Sequence, residues 1–294
     1  VHLSLGYFRN TESFISKSIH TKLFLLVILS RFKKRKKPLN KTSIDISSML
    51  DDDFSDSNLD AKKALFIIVY FSLTIKYLPY FLQLTLTKSS IENAFILILP
   101  ITLFGITFST ITSVTLTKHI CRGKEKYNRI VDPAWSIGKP IQLFYGALFG
   151  IFTYILITFV IAIFPNNNGT IKDPNFYAMG KLTFEKFSNF IVLFTIIISY
   201  SISSIAEELF FRGVALAGFT KSFGKNIAIV FSSICFIFYH YPKLGYIEIL
   251  TYILISSFAI HLRLKYRAIG PAIALHLSYN LSIITFISIN VLIN

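Results

Sequence analysis

Ser203-Ser204-Ile205-Ala206-Glu207-Glu208-Leu209-Phe210-Phe211-Arg212 closes an apolar run that begins near residue 188. The run 188–211 is long enough to cross a bilayer, since a membrane helix needs roughly 20 mostly apolar residues. A charge at mid-helix costs about 2.5–3.5 kcal/mol on insertion scales, so two adjacent carboxylates ask for a reason. Phe210 and Phe211 continue the apolar run beyond them, which argues against a simple helix end that snorkels to the interface. On a helix, Glu208 and Arg212 stand four apart with the acid first, the favoured order for an ion pair. Glu207 is turned about 100° away and is not paired in that way. The spacing assigns Glu208 to holding Arg212 and leaves Glu207 for chemistry.

Working outward, further apolar stretches lie near 64–83, 93–117, 141–164, 226–240, 246–262 and 270–293. Lys76 interrupts the first, whose apolar core is 64–75 followed by a tilted or interfacial end. The 294 residues are 53% apolar and 15% charged, against about 25% charged in a typical soluble protein. Mean hydropathy is +0.60. These values exclude a disordered chain and leave too little charge for an ordinary soluble surface. Two cysteines exclude a disulfide framework, and Cys121 and Cys235, in a loop and a span, are not expected to pair. The fold class is all-α, a polytopic membrane helix bundle of about seven transmembrane helices, with six or eight as the neighbouring counts.

Thirty basic residues against 15 acidic ones give a net charge of +15. If the spans alternate, 24 of the 30 basic residues fall on one side and 6 on the other. The dense groups are 31–37, 118–129, 221–225 and 263–267. The positive-inside rule puts the N-terminus in the cytoplasm and the C-terminus outside. The excess charge then records topology and lipid contact, and nucleic acid is not an expected partner. The chain divides into a polar, basic N-terminal segment 1–63, N-terminal transmembrane helices 64–184, and a core 185–294. The run Leu23 to Leu29 is too short to span and precedes the basic cluster, so it does not read as a signal peptide. Asp51, Asp52, Asp53, Asp56 and Asp60 form an acidic linker. Trp135 and Pro133 suit an interfacial anchor before the third span. The first residue is Val, with Met49 as the alternative start.

Two histidines fall in or beside apolar segments, His240 after Phe236-Ile237-Phe238-Tyr239 and His276 in Leu275-His276-Leu277-Ser278-Tyr279-Asn280. His276 and Asn280 share a helix face. One histidine in a span is usually a helix–helix hydrogen-bond partner. Two histidines, a glutamate pair, an arginine and an asparagine on three spans instead predict one polar pocket, because polar groups in lipid turn inward and find each other. A carboxylate and two imidazoles can bind Zn2+ with an open position for water. Without metal, the carboxylate and one histidine can activate water while the other histidine and Asn280 donate to an oxyanion. Both routes hydrolyse a carbonyl substrate.

Glu207-Glu208-Leu209-Phe210-Phe211-Arg212, Phe236-Ile237-Phe238-Tyr239-His240 and His276-Leu277-Ser278-Tyr279-Asn280 resemble, in order, the three motifs of the CAAX-protease and bacteriocin-processing membrane proteins, the CPBP or Abi family. The resemblance covers about residues 185–294. It implies an intramembrane endopeptidase, a metalloprotease-like hydrolase, in which Glu207, His240 and His276 activate water. Asn280 would stabilise the oxyanion and Arg212, with Glu208, would order the motif helix. Zn2+ at Glu207, His240 and His276 is compatible with the resemblance but not required by it. It further implies a peptide or protein substrate, lipidated or membrane-associated, and a place in a bacterial cell membrane with links to bacteriocin maturation and immunity. The competing readings are a non-catalytic immunity or scaffold protein and a proton-coupled transporter. Simple alternation of spans leaves one conflict: it sets His240 about 15 Å in depth from Glu207, at 1.5 Å per residue. A shared site requires that gap to close.

Overall fold

The structure, a computed structural model, describes residues 59–86, 91–121, 136–163, 190–241 and 245–293. The N-terminal segment up to residue 58, the 122–129 basic loop, Pro133 and Trp135 lie outside the described residues. Among the described residues the secondary structure is helical: α1 Ala61–Leu86, α2 Ile91–Cys121, α3 Pro140–Ile163, α4 from Phe190, α5 Lys225–Tyr239, α6 Tyr246–Tyr266 and α7 Gly270–Ile293. Helix α4 is α-helical over Phe190–Glu208, widens into a π-helical segment at Leu209–Ala215, and resumes as Leu216–Phe223. Each apolar stretch in the sequence thus has its helix, and the fold is an all-helical bundle.

Among the described residues, four stretches are long and apolar enough to cross a membrane: Pro100–Ile120, Pro140–Ile163, Leu193–Phe223 and Tyr246–Tyr266. Helix α3 shows why the solvent is lipid. Gly146, Gly150, Thr153 and Ile157 are buried at helical spacing, while Phe144, Phe152, Ile155 and Phe159 are each more than half exposed. A helix that is apolar all round belongs in a core or a membrane, and this one is largely bare of protein. The chain is an integral membrane protein.

Small residues set the closest helix contact. A side chain at Gly146 would overlap the Pro271 carbonyl, and one at Gly150 would overlap the Leu275 carbonyl and the Ser278 hydroxyl. Ser278 Oγ also donates to the Ala147 carbonyl at 3.0 Å. This is the close backbone approach that drives helix pairing where the apolar effect between helices is absent. It holds α7, which carries His276, against α3.

On the other side, α1 presents Ala64, Ile67, Phe71 and Ile75, buried at helical spacing. Phe71 stacks on Phe210 with ring centroids 4.3 Å apart. Asp60 caps α1, its Oδ1 accepting from the Lys63 N–H at 2.9 Å. The Ala61 N–H donates to Ser222 Oγ at 2.8 Å, tying the cap to the end of α4.

The fourth helix differs from its apolar run, which stops near 211. The chain continues helically to Phe223 and turns at Gly224, where φ is +80°, a conformation open to glycine at little steric cost. Nearly equal lengths of chain separate Gly224 from Glu207 and from His240. Returning along α4, α5 therefore brings His240 back to the level of Glu207. The depth conflict came from placing the turn directly after Arg212.

Gly150→Leu is expected to destabilise the protein by about 1–3 kcal/mol through overpacking. Thermal unfolding in detergent, wild type against variant, measures it.

Candidate active site

Helix α4 supplies Ser203, Ser204, Glu207 and Glu208 from its last α-helical turns, and Arg212 from the π-helical segment. Such segments put an extra residue in a turn and recur at functional sites. Here Ser232 of α5 donates to the Phe211 carbonyl at 2.6 Å, giving this buried backbone oxygen a partner from outside the helix. His240 sits at the C-cap of α5. His276 and Asn280 lie one turn apart on α7.

Glu208 is fully buried. Its Oε1 accepts from Arg212 Nη1 at 3.0 Å and from His276 Nδ1 at 2.9 Å. An ionised carboxylate only accepts, so Nδ1 of His276 carries the proton. When the ring is neutral, its Nε2 is a lone pair. The same logic applies to His240, whose Nδ1 faces the Phe236 carbonyl at 2.9 Å. The two Nε2 atoms stand 3.6 Å (His240) and 3.8 Å (His276) from one atom, Glu207 Oε2. Glu207 Oε1 accepts from Ser203 Oγ at 2.8 Å, whereas Oε2 is buried with no hydrogen-bond partner. Three acceptor atoms thus come together, and among the described residues Oε2 has no hydrogen-bond donor. The gaps are too long for direct hydrogen bonds and suit a shared occupant.

Aromatic rings fix the imidazoles. Tyr252 of α6 stacks on His240 with centroids 3.9 Å apart. Phe236 meets His240 edge-on at 4.8 Å and His276 at 5.9 Å. The Arg212 guanidinium lies 4.0 Å from the Phe236 ring centroid. Arg212 is fully buried, and its Nε and Nη2 have no hydrogen-bond partner. The ring face therefore takes a share of stabilising this cation.

Asn280 reaches another group. Its amide donates to Ser204 Oγ at 2.8 Å, and Ser204 Oγ donates to the Tyr200 carbonyl at 2.7 Å. This pins α7 to α4 one turn from His276. The sequence reading missed Ser203, Ser204 and Tyr252. The two serines had a signal, standing four residues before Glu207 and Glu208 on the same helix faces. Tyr252, one of 15 tyrosines, had none.

Zinc fits this donor set in kind: two Nε2 lone pairs and an unpartnered carboxylate oxygen. Ligands on tetrahedral zinc stand about 3.4 Å apart, given bonds of about 2.1 Å. The two separations here exceed that by a few tenths of an ångström. Glu208 behind His276 is the carboxylate partner that metal-binding histidines commonly have. Among the described residues, however, no group of three or more such side chains is already drawn together to hold an ion.

Fold and site define a polytopic helical membrane protein with a buried carboxylate–imidazole cluster. Residues 189–282 match the family model described as type II CAAX prenyl endopeptidase Rce1-like. That stretch contains all three motifs. No curated protein and no solved structure matches the chain.

Arg212→Met is expected to cost about 3–5 kcal/mol, because it strips the cation from a buried carboxylate. A fall in the detergent unfolding midpoint, relative to wild type, is the readout.

Proposed function

We propose that the protein is an intramembrane endopeptidase that cuts a peptide near its C-terminus, with Glu207 as general base. The observation that carries this reading is Glu207 Oε2, buried, without a donor, and faced by the Nε2 atoms of two histidines. A water in that space can donate to Oε2 and to the bare Nε2 of His240. As the water oxygen bonds to the scissile carbonyl carbon, its proton passes to Glu207 and the carbonyl electron pair moves onto oxygen. Glu207 then returns the proton to the amide nitrogen as the C–N bond breaks.

The oxyanion needs a donor. His276, unlike His240, has a carboxylate behind its Nδ1–H. In this reading His276 enters the reaction already protonated at Nε2 by a proton from solvent, its charge offset by Glu208, and its Nε2–H hydrogen-bonds the oxyanion without being transferred. Asn280 would act with it through the amide N–H that does not serve Ser204, since the side chain has two. Glu208 and Arg212 are positioning residues. If zinc occupies the site, Glu207 Oε2, His240 Nε2 and His276 Nε2 would hold it, and it would supply Lewis-acid polarisation and a more acidic water.

The substrate in this reading is a membrane-associated peptide whose lipid lies in the bilayer, in keeping with the family description. The charge asymmetry of the loops supports a cytoplasmic N-terminus, and the motif resemblance supports a bacterial cell membrane.

The test is cleavage of an S-farnesyl peptide ending in three further residues, with protein in detergent or liposomes. Glu207→Gln is expected to lower kcat by about 10²–10⁴, the usual contribution of a general base. His240→Ala and His276→Ala are expected to lose activity as well. Equal cleavage by wild type and Glu207→Gln would remove this mechanism. Inactive wild type would favour the scaffold reading, and solute uptake by liposomes the transporter. Metal analysis alongside decides the zinc question: one zinc per chain, lost in His240→Ala, places it here, while full activity of metal-free protein excludes it.

A further inference from the structure

One serine of α4 behaves differently from its neighbours. Ser201 and Ser204 each donate to the carbonyl four residues earlier, of Ile197 and Tyr200, at 2.7 Å. That local bond satisfies a hydroxyl within its own helix. Ser203 lies between them and donates forward instead, to Glu207 Oε1 at 2.8 Å. Residues four apart share a helix face, so the contact needs no bend in α4. It also distinguishes the two carboxylate oxygens. Oε1 is held by Ser203, while Oε2 is buried without a hydrogen-bond partner, 3.6 and 3.8 Å from the two Nε2 atoms.

Ser203 has a second hydrogen-bond partner on another helix, the side chain of Tyr239 in the last turn of α5. A hydroxyl carries one proton. Ser203 gives its own to Glu207, so Tyr239 is the donor and Ser203 the acceptor. The three groups form a chain from Tyr239 Oη through Ser203 Oγ to Glu207 Oε1, in which each bond polarises the next. Packing fixes the far end of the chain. The Tyr239 ring stacks on Phe71 with centroids 5.9 Å apart and meets Phe211 at 5.3 Å. The same ring lies 4.9 Å from the His240 ring, nearly perpendicular to it. Tyr239 thus touches the imidazole directly and the carboxylate through one serine.

We propose that Ser203 and Tyr239 are positioning residues for the hydrolysis, their hydroxyls holding the Glu207 carboxylate with Oε2 turned to the reacting water. This rests on the endopeptidase reading above. Neither hydroxyl gives up its proton in the reaction; each acts through Glu207. Tyr239→Phe removes the hydroxyl and keeps the packed ring, and Ser203→Ala removes the link between Tyr239 and Glu207. With the S-farnesyl peptide as substrate, Ser203→Ala is expected to lower kcat about tenfold at unchanged KM, as for one hydrogen bond to a charged group. Tyr239→Phe is expected to lower kcat about fivefold, again at unchanged KM. The double variant is expected to match Ser203→Ala, because Tyr239 reaches Glu207 only through Ser203. Where Ser203→Ala does not fold, the kcat and KM of Tyr239→Phe decide alone. Unchanged kcat in either single variant, a loss carried by KM, or losses that multiply in the double variant overturn the assignment and leave the peptidase standing. No cleavage by wild type, or equal cleavage by Glu207→Gln, overturns both.

Discussion

The Glu208 carboxylate is the point on which the rest of the site hangs. One oxygen, Oε1, takes a hydrogen bond from Arg212 on its own helix and another from His276 on α7. Arg212 in turn lies over Phe236 of α5, and Phe236 meets both imidazoles edge-on. A buried charge is tolerated only when it is paired and hydrogen-bonded, and this carboxylate obtains its partners by drawing three helices together. The requirement to neutralise Glu208 and the requirement to orient His276 are met by the same contact. Displacing α7 by an ångström would leave Glu208 short of a donor and His276 free to change tautomer.

The supports lie outside the polar cluster. Gly146 and Gly150 let α3 approach the backbone of α7, and Asn280 fastens α7 to Ser204 of α4. On the opposite side Phe71 of α1 packs against Phe210, Phe211 and Tyr239. Phe144, Phe152, Ile155 and Phe159 of α3, meanwhile, face outward. Small residues and a few polar contacts thus bring α3 and α7 together, as expected where lipid replaces water as solvent, while large apolar side chains fill the core around α1, α4 and α5.

The motif residues were readable from the chain because each polar group stood against an apolar background. The Glu208–Arg212 pair followed from helix periodicity, and the proximity of His276 to Asn280 did too. The path of α4 was not readable in the same way. Arg212 marks an apparent end to the apolar run, yet Val214, Ala215, Leu216, Ala217 and Phe219 continue it and residues 211–220 are buried throughout. Small residues let this part pack closely: a side chain at Gly218 would meet Ala64 and the Asp60 carbonyl. The second partner of Glu208 was also hidden, since helix spacing reveals neighbours along one helix and is silent about a histidine 68 residues away.

Glu207 and Glu208 are identical in chemistry and adjacent in sequence, and their neighbours make them opposites. The approximately 100° between successive residues of a helix turns Glu208 toward donors, Arg212 Nη1 and the Nδ1–H of His276. It turns Glu207 toward acceptors, the Nε2 lone pairs of His240 and His276, with Ser203 as its donor. Glu208 is held in place through Oε1 by two donors, while Glu207 keeps Oε2 without a hydrogen-bond partner and facing both Nε2 atoms. Two such different settings for one kind of side chain need no difference in the residues, only the turn of the helix between them.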